Sequence, residues 1–293
     1  MKKLVVFFCS LAGVLLVVFA AQGQQPTSVI KVQVRLVEVY ASVYDHKGQY
    51  VEGLGRESFQ IFEDGKQQQI TGFEADTANL SCAILLDTTG SMGEALPRVK
   101  NSVMKLIDVL GAGDAVAIYT FDQRLVVRQE FTTDKVAAKK AVLRTRAEGQ
   151  TALFDALSET SQEISARPGK KALVVFTDGD DNSSMLNANA AVTRAKKAGI
   201  PIYAIAEGEA THSANLKKLL EELSTRTGGT SYEVKKLNDV DVVFQKIALD
   251  LQHLYMLTYQ PVKAEESKWR KIEVSLQGGK EYRVRAKEGY FPN

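Results

Sequence analysis

Three short stretches of the 293-residue chain could do chemistry together: Asp87-Thr88-Thr89-Gly90-Ser91, Gly149-Gln150-Thr151 and Thr177-Asp178-Gly179. The first and third directly follow apolar runs, and all three offer carboxylate or hydroxyl oxygens. Oxygen donors of this kind are what hard divalent cations take. In a doubly wound parallel sheet, ligands gather at the carboxyl ends of the strands near the point where the strand order reverses. These are the positions the three stretches would occupy.

Catalytic readings of the same residues fail on spacing. An aspartyl-phosphate route, as in haloacid-dehalogenase-type phosphatases, needs a second Asp at position 89, where the chain has Thr. Ser91 is not the centre of a Gly-x-Ser-x-Gly elbow, because position 89 is not Gly. No Gly-x-x-x-x-Gly-Lys-Ser/Thr phosphate loop occurs. Without a nucleophile and paired base, no catalytic residue, organic cofactor or small-molecule substrate is assigned. His46, His212 and His253 are scattered without zinc spacing and read as surface or capping residues. Asp180, Asp181 and Asn182 supply only three oxygens where calcium needs six to eight, so they read as a solvated loop. Lys170-Lys171 reads as an ordinary loop between helix and strand.

The elements that must position these residues lie between Leu80 and His253. Short β-branched runs alternate there with longer helical segments, the pattern of a parallel sheet covered by helices on both faces. The expected strands are Ser81 to Leu86, Ala115 to Phe121, Leu125 to Phe131, Ala172 to Thr177, Ile200 to Ala206 and Thr230 to Val234, the third being a polar edge strand. Leu96, Val99, Val103, Leu106 and Leu110 recur at helical spacing. Leu216, Leu219, Leu220 and Leu223 do the same, as do Val240, Val243, Phe244, Ile247, Leu251 and Leu254. Gly199-Ile200-Pro201 and Gly228-Gly229 mark helix ends that call for a left-handed cap.

The flanks have period two. Ile30, Val32, Val34 and Leu36 alternate with polar residues, and the phase then flips to Val37, Val39, Ala41 and Val43, predicting half-buried antiparallel strands with a bulge or break. Asp45-His46-Lys47-Gly48 and Glu63-Asp64-Gly65-Lys66 signal hairpin turns. Ile272, Val274 and Leu276, then Gly278-Gly279, then Tyr282, Val284 and Ala286 repeat the style. Trp269, Tyr255, Tyr259, Tyr282 and Tyr290 are assigned to packing. Neither flank has enough strands to stand alone. The expected fold is therefore α/β, a doubly wound, mostly parallel six-stranded sheet, inserted in a small β-sandwich formed by both chain ends. The segments are 1–23, 24–78, 79–254 and 255–293.

Residues 1–23 read as an export signal: Met1-Lys2-Lys3, an apolar run from Leu4 to Ala21, then small residues at Ala21-Gln22-Gly23. Cleavage near Gln24 is the first reading. The run is also as long as a short membrane-spanning helix, so retention as a single-helix anchor is the alternative. Both readings put the folded part outside the cytoplasm, periplasmic or secreted. Of the 37 basic residues the signal holds Lys2 and Lys3 and no acid, which leaves 35 against 35 acidic ones. A neutral chain argues against a nucleic-acid partner. Cys9 lies in the apolar run, leaving Cys82 as the only mature cysteine, a buried strand residue with no disulfide framework.

Asp-x-Ser-x-Ser, a separate Thr and an Asp after an apolar strand make up the metal-ion-dependent adhesion site of von Willebrand factor A and integrin I domains. This chain resembles that family over Leu80 to His253, with Thr89 in place of the middle Ser, a change that keeps the hydroxyl. The resemblance implies a divalent cation, first of all Mg2+ with Mn2+ or Ca2+ as alternatives, held by Asp87, Thr89, Ser91, Thr151 and Asp178. Thr89 and Ser91 would ligate directly, Thr151 directly or through water, and Asp87 and Asp178 mainly through water. Mg2+ wants six oxygens and keeps several waters, so one position stays open. In the family a partner's carboxylate fills it, which implies a protein partner supplying Asp or Glu. A narrower likeness covers the flanks: Asp45-His46-Lys47-Gly48, Val51, Gly53-Leu54, Phe59, Ile61 and Glu63-Asp64-Gly65-Lys66, with Arg283-Val284-Arg285 and Lys287-Glu288-Gly289-Tyr290-Phe291. These are similar to exported VWA-related proteins of acidobacteria.

Overall fold

The computed structural model describes residues 36–261, 268–278 and 281–292. The export segment and the alternation from Ile30 to Val34 lie outside the described residues. Strands β1 (Val37–Tyr44), β2 (Phe59–Glu63), β3 (Lys66–Gln68) and β4 (Ile70–Glu74) come first. The central part then runs β5 (Leu80–Asp87), α1 (Leu96–Val109), β6 (Ala115–Phe121), β7 (Leu125–Thr132), α2 (Lys135–Leu143), α3 (Leu153–Ser165), β8 (Lys170–Thr177), α4 (Ala188–Ala198), β9 (Ile202–Glu207), α5 (Ala214–Thr227), β10 (Ser231–Val234) and α6 (Val240–Gln252). The chain ends with β11 (Tyr255–Tyr259), β12 (Arg270–Leu276), β13 (Arg283–Ala286) and β14 (Gly289–Tyr290).

The central sheet has the order β10-β9-β8-β5-β6-β7, parallel except for β7, which pairs antiparallel with β6. Numbered within this part alone, the order is that of a doubly wound sheet, and the reversal falls between β5 and β8. β5 and β8 are buried along their whole length, as central strands covered on both faces must be. One face packs on α1, α2 and α6, with Val99, Val103, Phe244 and Ile247 fully or nearly fully buried. The other packs on α3, α4 and α5. Gly199 and Gly228 end α4 and α5 in the left-handed conformation, at φ 69° and 88°, as the sequence predicts.

Strands from both chain ends form two four-stranded sheets, β13-β1-β11-β4 and β14-β12-β2-β3. Val39, Val43 and Leu257 of the first face Ile61, Phe59 and Ile272 of the second across one apolar core. The β2–β3 hairpin turns at Asp64 (φ 48°) and Gly65 (φ 78°), both in the left-handed region a two-residue turn needs. The segment around Gly278 closes no hairpin, because β12 pairs with β2 and β13 with β1. The chain crosses there from one sheet to the other. Arg35–Asn293 cluster as one compact unit.

Three expectations need correction. β1 is buried on both faces rather than half-buried, because its second face packs on the α/β part: Tyr40 sits with Leu254 and Met256, and its hydroxyl donates to Glu38 Oε2 at 3.0 Å. Lys170 and Lys171 form the start of β8 and are each 1% exposed. Lys170 Nζ donates to the Asp76 and Ala75 carbonyls, at 2.7 and 3.2 Å, and Lys171 pairs with Glu38 at 2.9 Å. A pair of charges that looks like a loop is thus buried because the β-rich flank brings it partners. Tyr282 is 42% exposed and packs no core, whereas Tyr255, Tyr259 and Tyr290 do. Trp269 meets Phe291 edge-on at 5.0 Å.

Candidate functional site

β5 delivers Asp87 and β8 delivers Thr177 and Asp178 at adjacent strand ends, at the reversal of strand order. Asp87 is fully buried and hydrogen-bonded on both oxygens. Its Oδ1 accepts from the Thr89 amide at 2.9 Å and the Thr89 hydroxyl at 2.7 Å, and its Oδ2 accepts from the Thr177 hydroxyl at 2.8 Å. Ser91 Oγ donates to Asp178 Oδ1 at 2.9 Å. The Thr89 and Ser91 hydroxyl oxygens then stand 3.1 Å apart. Either hydroxyl can donate across this gap, which links the two carboxylates through one hydrogen-bonded chain.

Thr151 reaches the same place by backbone bonds. The Gly90 amide donates to Gly149 O at 3.2 Å, and the Glu148 amide to Thr88 O at 2.7 Å, which fastens residues 148–149 to the Asp87 loop. Gly149 has φ 85°, and a Cβ there would press on Asp122 at 3.0 Å, so glycine alone fits this turn. Thr151 is 4% exposed and its amide donates to Asn182 Oδ1 at 2.9 Å. Among the described residues no hydrogen bond joins the Thr151 hydroxyl to the other four side chains. Ser91 is the exposed member of the set.

Charge accumulates here without a counter-charge. Among the described residues neither Asp87 nor Asp178 is in an ion pair with Lys or Arg. Burial, and then the nearby Asp87, push the Asp178 carboxyl up to about 6, with Glu207 adding to the rise and the Ser91 hydrogen bond opposing it. Burial also raises Asp87, against the hydrogen bonds from Thr89 and Thr177. The donor set suits a small hard cation: all oxygen, two carboxylates with no cationic neighbour, and two hydroxyl oxygens 3.1 Å apart between them. No group of three or more His, Cys, Asp or Glu that could hold a metal occurs among the described residues. A centre on Asp87 and Asp178 would thus depend on hydroxyls for its remaining protein donors.

Sequence reasoning names Thr177 within its stretch but gives it no role, whereas its hydroxyl locks Asp87, and Glu207 at the end of β9 is not foreseen at all. A hydroxyl just before Asp178 and an acid ending the next strand were the available signals. It also read Asp181 and Asn182 as solvated. Asp181 is only partly exposed, its Oδ2 accepting from the Phe154 amide at the start of α3 at 2.8 Å, and Asn182, though exposed, also holds Thr151 through its side-chain oxygen.

The family model of the von Willebrand factor type A domain matches residues 82–246, more than half of the chain. The chain belongs to the von Willebrand factor type A (VWA) family. A VWA protein of Catenulispora acidiphila shares the fold with a TM-score of 0.52 at 14% identity, over 88% of this chain and 75% of that one. A match that long takes in strands outside residues 82–246. The VWA domain of the type V pili tip protein Mfa5 from Porphyromonas gingivalis gives 0.51 at 12% identity, over 64% of this chain and 99% of that one. An uncharacterised protein of Synechocystis sp. is 35% identical over 109 residues, 35% of this chain. The matched region spans about a quarter of that relative, 26% of its length.

Proposed function

We propose that this VWA domain is a protein-binding module whose partner supplies an Asp or Glu to a divalent cation, most simply Mg2+, held by Asp87, Thr89, Ser91, Thr151 and Asp178. The observation that carries the reading is the pair of buried, unneutralised carboxylates joined through two hydroxyls whose oxygens stand 3.1 Å apart. Thr89 and Ser91 would meet the ion directly, Thr151 directly or through water, and Asp87 and Asp178 chiefly through water. Three hydroxyls and two carboxylates leave room and charge for an incoming carboxylate, which would gain a charge-assisted bond. The position outside the cytoplasm rests on the basic and apolar residues 1–21. Among the described residues no helix is long and apolar enough to cross a membrane. The VWA domain of the Porphyromonas gingivalis pili tip protein shows this fold on a cell-surface structure. The reading is of binding rather than catalysis: among the described residues no nucleophile with a paired base stands at the site.

Calorimetric titration of Mg2+ and Mn2+ into the purified chain, followed by capture of partners from envelope extract with and without chelator, tests the reading. Ion binding and partner capture should fall together in Asp87→Ala. A partner whose affinity ignores both EDTA and Asp87→Ala would refute the metal bridge. A metal-independent envelope scaffold is the second reading, favoured by the two apolar layers that close around the sheet without any ion. It is the one left standing if no site-dependent ion binding is found.

A further inference from the structure

A recess of about 770 Å³ opens between the α/β part and the chain-end sheets, lined by residues 229–233 on one side and 283–286 on the other. Its size falls in the range of ligand sites. Side chains of a strand alternate between faces, so a recess that meets four or five consecutive residues faces the edge of the strand, where backbone groups emerge. Both walls are such edges: β10 ends the six-stranded sheet and β13 ends its four-stranded sheet.

The free backbone groups can be named. The Ala204 amide donates to Thr230 O at 3.1 Å, so Thr230 turns toward β9. By alternation Tyr232 does the same, and Ser231 and Glu233 turn their N–H and C=O away from the sheet. On the other wall Val43 spends its carbonyl on the Val51 amide at 2.9 Å, so Val43 turns away from β13 and its opposite number Val284 directs its N–H and C=O outward. Among the described residues none of these groups has a backbone partner. Two charges in the recess are also without an opposite: Arg283, stacked on Tyr44 at 4.8 Å, and Glu221. The others are paired, Lys217 with Glu233, Arg285 with Asp250 and Glu288 with Arg226.

We propose that this recess binds an extended segment of a partner polypeptide, which adds as a further strand to β10 and carries an acidic side chain to Arg283. Regularly spaced donors and acceptors on an edge match a polypeptide backbone, which repeats at the same interval, better than a sugar or a compact ligand. The four residues of β10 span roughly 13 Å, enough for two residues, Ser231 and Glu233, to exchange four hydrogen bonds. Glu221 selects a basic or amide side chain along the same segment. So short an edge resists indiscriminate pairing, leaving specificity to the side chains around it. This surface is separate from the Asp87 site and does not depend on the ion.

The test selects a displayed library of random nine-residue peptides on the full chain in EDTA, then measures synthetic copies of the selected peptides. Strand addition predicts that N-methylation of every second peptide amide weakens binding tenfold or more, while the intervening amides tolerate it. Ser231→Pro removes one edge donor at a position where proline is tolerated and should cost tenfold with the melting temperature unchanged. Arg283→Gln should weaken peptides that carry an acid. Peptides indifferent to N-methylation at all positions overturn the proposal, as does a failure to enrich any peptide. Binding of an oligosaccharide array probe that Arg283→Gln abolishes, with no peptide bound, would make the recess a glycan site instead.

Discussion

Asp178→Asn, studied without ion, separates the electrostatic argument from the fold. The Asp178 carboxyl is 5% exposed and is pushed from its ordinary 3.8 up to about 6, by burial first and by Asp87 second. Because the native value lies above the unfolded one, the native chain takes up this proton first on acidification. The destabilisation is complete above about pH 6 and disappears as the pH falls toward 4. Two pKa units correspond to about 3 kcal/mol. Asparagine keeps an oxygen for the Ser91 hydroxyl and loses the charge, so in EDTA at pH 8 it should stabilise the chain by about 1–3 kcal/mol. The gain should vanish at pH 4. In Mg2+ the advantage is offset wholly or nearly so, since an ion at a hundred times its dissociation constant adds about 2.7 kcal/mol to a protein that binds it and little to one that does not. Urea denaturation at both pH values, with EDTA and with Mg2+, measures all four quantities. A variant less stable than the parent in EDTA at pH 8 would show that hydrogen bonding already compensates the carboxylate, and the argument from unneutralised charge would be lost.

Thr89→Ser keeps the hydroxyl on Asp87 and should leave calorimetric ion affinity within about twofold. Thr89→Val strips a donor from a buried carboxylate and should lower stability by about 1–3 kcal/mol along with the loss of the ion. Chelation of the parent should shift the melting temperature only slightly, and a cooperative unfolding in EDTA would make the site structural instead. Removing residues 256–293 takes away β13 and nearly all of β11, the two neighbours of β1, and also β12, one of the two neighbours of β2. Limited proteolysis should then cut within residues 36–76, and protection there would disprove the shared sandwich. Lys287 is 5% exposed, without an ion pair among the described residues, and burial lowers its pKa to about 8. Its native value lies below the unfolded 10.5, so it should add about 3 kcal/mol to parent stability between pH 8 and 10.5. Lys287→Met should be the more stable protein at pH 7 and should rise by about 3 kcal/mol less than the parent over this window, because Lys170, which burial also lowers to about 8, keeps its own share.

The fold was legible where one period dominated. The expected strand Ala115 to Phe121 matches β6, and the other five α/β strands differ from expectation by no more than two residues at either end. The stripes in α1, α5 and α6 carry three to four apolar residues per two turns and appear as expected. The errors came from contacts distant in sequence. Nothing near Lys170 and Lys171 announces that the carbonyls of Ala75 and Asp76 and the carboxylate of Glu38 will receive them. Nothing near Tyr40 announces that a strand inward-facing on one side will be covered on the other as well. At the site, Asp87, Thr89, Ser91 and Asp178 come together in one hydrogen-bonded chain because each sits at a strand end that the sheet order makes adjacent. The residues that support them, Asn182 and Asp181, were missed because polar residues in a surface loop look alike until the loop they brace is placed, and the part of Thr177, buried at the end of β8, shows only once β5 and β8 are paired.

The placement of the five residues bears on how an ion would couple to folding. Asp87 and Asp178 hang from β5 and β8, paired along seven residue positions from Leu80 to Leu86. The Thr151 loop is fastened to the Asp87 loop by backbone bonds, Gly90 N to Gly149 O and Glu148 N to Thr88 O, which need no ion. Thr89 and Ser91 are already drawn toward Asp87 and Asp178 by their hydroxyls. The donors are therefore held in place by the sheet, and the charge they accumulate is the part of the site that works against stability. In such an arrangement an ion contributes mainly by neutralising two carboxylates and contributes little to building structure. The expected consequence is an affinity governed by charge and a fold that survives its loss, the reverse of a small domain that is unfolded without its metal.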